Sequence, residues 1–489
     1  MSSLTSNKTP ESQENRSSRT QISLDLNQPI TKLIFQLAWP VLLQQVLVLC
    51  VGLFDRFLAG NYPPADESLH VAYQAAQTTA NYLGWFLANA SAVVTVGSTA
   101  LVARLVGAKD RFEANRVCNQ SIILAIALGL LGTVLGLSII GEAVRWMQLR
   151  DNSAQIAVEF LLPILLLLPL QMVESAGIAC LIGAGDTRIG LMVLGGVAVI
   201  NMPLAWIFFQ GIGTWSGLGF IGIGLGTAVS HAIGGISVLI VLSRGRAQLK
   251  LQWQLLAPNA HLIRRILRIS IPAAIDVLSI CLCQMWFLAL VNRLGVIPSA
   301  AHGIAIQWEA LGYLSGQAFA VAAMTLVGQN LGAGRPDRAV RCGWFAMQFG
   351  ALTMSLMGVI FYTFAEPMFQ LFCPSDNQLG VIQTGVPVLQ MVAFSMPTLA
   401  SILILTGALR GAGDTRVPVL LTWIGFLGIR MPLSVFLMYD QIDLGFIGSI
   451  SGMGLGLIGA WLAMFADLTI RGALFQLRFY SEKWKKIKV

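Results

Sequence analysis

Charge is what this sequence has least of. Asp, Glu, Lys and Arg make up 11% of its 489 residues, where a soluble domain carries about 25%. So few charges cannot cover a water-facing surface. That excludes an ordinary soluble domain and points to the bilayer as solvent. The seven cysteines sit mostly in apolar segments, and Cys281 and Cys283 are not at a metal spacing, so neither a disulfide framework nor a zinc site is expected. HExxH and the Walker A pattern are missing, and the Gly-rich pieces lack the strand-to-helix context that phosphate binding needs. No catalytic set supports an enzyme and no cofactor is expected, so uphill transport must draw on an ion gradient or a partner. The N-terminus lacks the apolar core and cleavage site of a signal peptide. Residues 1–30, polar and Ser-rich, read as a disordered cytoplasmic tail.

What is present is apolar: 56% of residues are hydrophobic and the mean hydropathy is +0.73. Ser121 to Ile140 is one uncharged run, and about 20 helical residues cross a hydrocarbon core of about 30 Å. No charged residue occurs from Ile189 to Ser243, which fits two crossings joined by QGIGTWSG. Hydropathy and breakers predict twelve spans, near 33–58, 71–100, 117–141, 156–182, 187–210, 217–243, 263–293, 299–326, 340–364, 380–408, 416–438 and 445–478. With the N-terminus in the cytoplasm, the tails and even-numbered connections hold 26 of the 31 Lys and Arg. The outer connections hold Arg145, Arg150 and Arg293, and Arg56 and Arg430 lie within spans. This is the positive-inside pattern, so both termini are placed in the cytoplasm. The basic balance is topology, not nucleic-acid binding, and KWKKIK near the end also faces anionic lipid.

The chain repeats itself. GAGDTR occurs twice, with Asp186 and Asp414 228 positions apart. VGAKDR at Val106 answers LGAGRPDR at Leu331, NMPL at Asn201 answers RMPL at Arg430, and GLGFIG at Gly217 answers DLGFIG at Asp443. Pairs in one order at nearly one offset mean a duplicated six-span unit, and an even span count leaves the halves parallel. The expected fold is all-α integral membrane, twelve helices in two pseudo-symmetric six-helix lobes. Residues 31–245 form the N-lobe, 246–262 an inter-lobe linker, 263–479 the C-lobe and 480–489 a basic cytoplasmic tail. GAGDTR itself reads as a tight cytoplasmic hairpin: Gly183 and Gly185 end one helix and Asp186 caps the next.

Ionisable groups inside spans are costly and mark function. Helical rise places Asp276 and Glu309 near the midplane, with Arg430 as deep, a charge-balancing partner for one of those acids. Asp55 lies in the outer part of the first span, beside Arg56. Glu159 falls at the outer rim, Glu174 deep toward the cytoplasm, and Asp467 about 33 Å down the last span, where it is expected to be solvated. His231 and His302 read as core histidines.

Twelve helices in two parallel sets of six, LVGQNLGAGRPDRA after the eighth span and GALRGAGDTR after the tenth resemble the multidrug and toxic compound extrusion (MATE) family, from about Thr31 to about Phe479. The resemblance implies two lobes around a central cavity in the plasma membrane. It implies efflux of amphiphilic, often cationic drugs in exchange for H+ or Na+. It places a cation or proton, Na+ included, at Asp55, with Asn201 and Thr227 as companions. The sequence departs from the family pattern at Ala205, where a second Asp is frequent, and at Arg56, in place of a small polar residue. Coupling in the C-lobe, at Asp276 and Glu309, is the other placement. Trp308, Tyr82 and Trp85 are candidate wall residues. The expected partners are small-molecule drugs and membrane lipid, the chain acting as a monomer. A lipid-linked oligosaccharide flippase of the same superfamily and a channel are the alternatives.

Overall fold

Continuous apolar runs fold here as long helices, because a backbone in lipid must satisfy its own hydrogen bonds. The computed structural model describes residues 24–61, 67–146, 151–373, 378–443 and 449–487. Most of the tail read as disordered, the second GLGFIG copy after Asp443, Arg150 and the last two residues lie outside them. The first six spans are α1 (Ile30–Asn61), α2 (Glu67–Ala90) with α3 (Ala92–Gly107), α4 (Arg111–Trp146), α5 (Asp151–Leu166) with α6 (Leu168–Gly183), α7 (Thr187–Gln210) and α8 (Phe220–Arg244). The second six begin with α9 (Ala260–Asn292), α10 (Val296–Gly332), α11 (Pro336–Thr363) and the short α12 (Ala365–Gln370). They continue with α13 (Leu379–Gly411), α14 (Arg416–Trp423), a π-helical stretch Ile424–Arg430, α15 (Met431–Met438) and α16 (Gly456–Tyr480). Eleven helices are long and apolar enough to cross, and the pair α5–α6, bent by 56°, makes the twelfth. Pro169 opens α6 and supplies no N–H to continue the helix through the bend.

One boundary differs from the hydropathy reading, and the inter-lobe linker proves to be held in place. The last span begins at Gly456, not near 445, because Gln441–Asp443 pairs antiparallel with Ser449–Ser451 as a small ribbon (β1, β2). The segment 246–262 is not a loose strand of linker. Asn115, Asn119 and Gln120 on α4 hydrogen-bond the backbone of Lys250, Gln252, Leu255, Ala257 and Asn259, so it is fastened along α4.

The cores follow the two halves, with one exchange. Leu33, Ile34, Leu37, Ala38 and Val41, from the cytoplasmic half of α1, join the core of the second half. Leu58 and Ala59, from its outer half, pack with Ala205, Phe209 and Ile223 of α7 and α8. Conversely Leu262, Ile266 and Ile269 of α9 belong to the core of the first half. The first and seventh helices thus straddle the two lobes.

The duplicated motifs meet at the basic, cytoplasmic end. A Cβ on Gly107 would stand 2.0 Å from the Gln329 carbonyl, and one on Gly332 would stand 1.9 Å from the Arg104 carbonyl. Arg104 and Gln329 hold equivalent places in the repeat, 225 positions apart. Arg104 donates to the Ala412 carbonyl at 3.3 Å, and Gln329 to the Gly183 carbonyl at 2.9 Å. Each lobe therefore inserts the end of its second span against the other lobe's GAGDTR hairpin, and the cytoplasmic side is closed. Gly185 and Gly413 turn these hairpins with φ of 93° and 86°, a region that glycine alone enters at little cost. Asp186 does not cap α7 with its side chain. Its carboxylate instead accepts from Arg246 at 2.9 Å, and Asp414 accepts from Arg478 at 2.6 Å. Each hairpin is tied to the end of its own lobe's sixth helix.

Candidate functional site

Asp55 sits in the outer half of α1, flanked by Phe54, Leu58 and Ala59, which pack in the cluster containing Ala205 and Ile223. Ala205 is one turn beyond Asn201, and Ile223 one turn before Thr227, so the three candidate residues share one part of the N-lobe. Asn201 is buried, and its amide donates to the Thr227 and Ser230 hydroxyls, each at 3.2 Å. Thr227 in turn donates to the Ile223 carbonyl. Ser230 was not foreseen. It stands one turn past Thr227 on the same helix face, a spacing that periodicity could have picked out.

Two acceptors in this group are buried without a hydrogen-bond partner: Asp55 Oδ1 and Asn201 Oδ1. A buried acceptor left unsatisfied costs about 1–3 kcal/mol. Carboxylate and amide oxygens are also the donors that hard cations take, and a proton on Asp55 would satisfy one of them. Among the described residues no ion pair joins Asp55 to Arg56. Successive residues point to different sides of a helix, so adjacency in the sequence does not by itself pair Arg56 with Asp55.

The acids of the second half do not form one group. Asp276 is buried and bonded to Arg410 at 2.8 Å, not to Arg430. Arg430 bonds Asp467 at 2.7 Å and Gln284 at 3.2 Å. Asp467, expected to be solvated, is fully buried and also holds Arg471 through both oxygens. The π-helical stretch supplies the fit: wider than an α turn, it carries Phe426 between the two guanidiniums, 4.5 Å from Arg430 and 4.4 Å from Arg471. Gly425 leaves room for Asp467 and Arg471 where any side chain would collide. Glu309, half-buried, stays outside these pairs within electrostatic reach of Arg430.

Two adjoining cavities open between the helices. One, of about 340 Å³, lies in the N-lobe and is lined by Gln44, Thr95, Thr99, Gln171, Glu174 and His231. The other, of about 480 Å³, is lined by Trp85, Asp276, Tyr313, Gln317, Arg410 and Arg471. Ala88, Val96, Val321 and Met324 belong to the walls of both. Of the three aromatic candidates, Trp85 lines the second cavity. Tyr82 lines neither, and Trp308 packs edge-on against Phe372 at 5.7 Å. His302 is a core residue, between Phe287 and Trp461. Glu174 and His231, set aside in the sequence, are in contact across α6 and α8 at 2.7 Å. They are 57 positions apart, and neither helix carries a pattern that announces the other.

Known proteins were then compared. The chain is 28% identical over 463 residues to "Probable multidrug resistance protein NorM" of Thermotoga maritima, covering 94% of each chain. It is 25% identical to "Multidrug resistance protein MdtK" of Yersinia pestis, covering 91% of this chain and 94% of the relative. Among solved structures it superposes on a crystal structure of MATE in complex with MaL6 and on a MOP superfamily transporter from Pyrococcus furiosus. Each does so at a TM-score of 0.82 and 19% identity, over 94% of this chain and 98% of the other. These likenesses place the fold among two-lobed, twelve-helix transporters. The MatE family model matches twice, at residues 40–207 and 272–436, one match for each copy of the six-helix unit, and the chain belongs to the MatE family.

Proposed function

We propose that this plasma-membrane protein is a secondary active efflux antiporter, exporting amphiphilic, cationic organic compounds in exchange for H+ or Na+ by alternating access. The observation that carries the reading is the pair of buried, partnerless oxygens on Asp55 and Asn201. Asp55 stands in the outer half of α1, away from the closed cytoplasmic end, so the ion is taken to arrive from outside. A cation or proton arriving there satisfies acceptors that the apo protein leaves bare and removes the cost of an exposed charge in apolar surroundings. Because α1 spans both cores, a change at Asp55 reaches the lobe interface through one rigid element. The outward-facing lobes then release the drug and rock to open inward. The multidrug relatives supply the substrate class, and the mixed apolar and polar cavity walls suit it.

The test is transport of a fluorescent cationic dye in proteoliposomes under a Na+ or a pH gradient imposed separately. Wild type is expected to move dye under one of them, and Asp55→Asn to lose coupling. The double variant Asp276→Asn/Glu309→Gln is expected to keep it. Loss confined to the double variant would move coupling to the C-lobe, and no movement under either gradient would overturn the antiporter reading.

One observation favours a second reading. Arg410 and Arg471 line the C-lobe cavity, and a cationic wall suits an anionic lipid-linked oligosaccharide. A scrambling assay with such a lipid decides it: flipping without dye transport would make the protein a flippase.

A further inference from the structure

The buried pair in the N-lobe cavity plays no part in the ion site at Asp55. Glu174, on α6, has a side chain 2% exposed, whereas His231, on α8, is 27% exposed and lines the cavity. The carboxylate lies behind the ring. Its Oε2 holds His231 Nδ1 at 2.7 Å, and its Oε1 is buried without a partner. That oxygen is pressed against Gly234, where an added Cβ would stand 2.3 Å from it. With Nδ1 engaged, Nε2 is the ring nitrogen left over. A carboxylate behind an imidazole fixes the ring's tautomer and orientation and favours its charged form.

Among the described residues lining this cavity, no other is charged. The other elements lining the cavity present Gln44 from α1, Ala88 from α2, Thr95 from α3, Leu194 from α7 and Met324 from α10. Their charged and histidine residues lie elsewhere along the helices: Lys32 at the start of α1 and Asp55 and Arg56 in its outer part, Glu67 and His70 at the start of α2, Arg104 at the end of α3, Arg188 at the start of α7, and His302 and Glu309 toward the outer end of α10. Arg244 ends α8. On the far side, α4 keeps its charges near its ends, as Glu113 with Arg116 and Glu142 with Arg145, and α5 carries Glu159 with Gln155.

We propose that Glu174 and His231 form a second protonation site, in which His231 Nε2 takes a proton from cavity water and Glu174 is its counter-ion. The step moves one proton: an O–H bond of hydronium in the cavity breaks, an Nε2–H bond forms, and water is left. With a neutral ring the pair carries the carboxylate's single negative charge, and with the proton it carries none. A cationic drug in this chamber then loses its counter-charge, so proton entry and drug release are linked here as well as at Asp55. That consequence rests on the antiporter reading, but protonation of the pair does not.

The experiment separates the two. Full-length protein labelled with 15N-histidine has four ring systems to observe, and the His231 resonance is identified by its loss in His231→Gln. As the pH falls from 9 to 5 it is expected to pass from neutral ring to imidazolium, with Nδ1 protonated throughout. In Glu174→Gln, a nearly isosteric change, the midpoint is expected to move, because the counter-charge is gone. The acid limb of the dye-transport pH profile is expected to flatten in His231→Gln. A ring that stays neutral over the whole range, or a midpoint untouched by Glu174→Gln, would overturn the proposal. Titration as expected, with no dye transport by wild type, would leave the pair standing and remove the antiporter.

Discussion

A carboxylate inside a bilayer must be answered by something, and its answer sorts the acids of this chain at the scale of single residues. Asp467 is answered in full by two arginines, so Asp467→Asn leaves both guanidiniums without their counter-charge. A loss of about 3–5 kcal/mol is expected, read as a lowered thermal midpoint in detergent. Asp55 has no such partner among the described residues, and Asp55→Asn is expected to leave that midpoint at or above the wild-type value while gradient-driven transport disappears. The two variants should therefore separate stability from coupling. The sequence misplaced Asp467 for a specific reason. Its depth was counted from a helix start near 445, whereas α16 begins at Gly456, and eleven residues of rise amount to about 16 Å. That error carries a midplane residue to the rim. Asp55, Asn201 and Thr227 were named together through the family resemblance, and the structure bonds Asn201 to Thr227.

Among the elements, the cytoplasmic ends of α3 and α10 do the work of closure. Gly107→Val and Gly332→Val each drive a side chain into the opposing backbone, which cannot give as a flexible side chain would. Either variant is expected to fold but to favour the inward-open state. Spin labels at Lys109 and Pro336, both exposed, should report a longer and broader distance distribution than in a labelled protein with both glycines intact. An unchanged distribution would show that the seal forms without these close approaches. The hairpins themselves were legible, since glycine and Asp in GAGDTR announce a turn. Their second role was not. Asp186 reads equally well as a cap or as an ion-pair partner, and the deciding residue, Arg246, lies 60 positions on. The π-helical stretch at Ile424–Arg430 left no mark either, because a widened turn changes the backbone path and not the composition.

At the scale of the whole molecule, the terminal segments cross-brace the closed end. Asn27 and Gln28, before α1, accept from Arg335 and Arg338 of the second half. At the other end of the chain, Ile487 accepts from Arg104 of the first half at 3.0 Å. Trp484, fully buried and stacked on Phe479 at 4.7 Å, anchors that last segment. Removing residues 481–489 is expected to weaken closure, so that the same spin-label pair reports a larger inward-open fraction. An unaltered fraction would make the segment a passive cover. The two-lobed plan was legible from the repeats, but the exchange of α1 and α9 between cores was not, because helices that straddle two lobes are as apolar as those that stay in one. The seal has a further consequence. Arg104 and Gln329 occupy one place in the repeat, as do Gly107 and Gly332, and each member of a pair touches what its twin presents. Such a surface is self-complementary in the way an isologous dimer interface is. A single six-helix unit pairing with a copy of itself would have made the same closure before the two were joined into one chain.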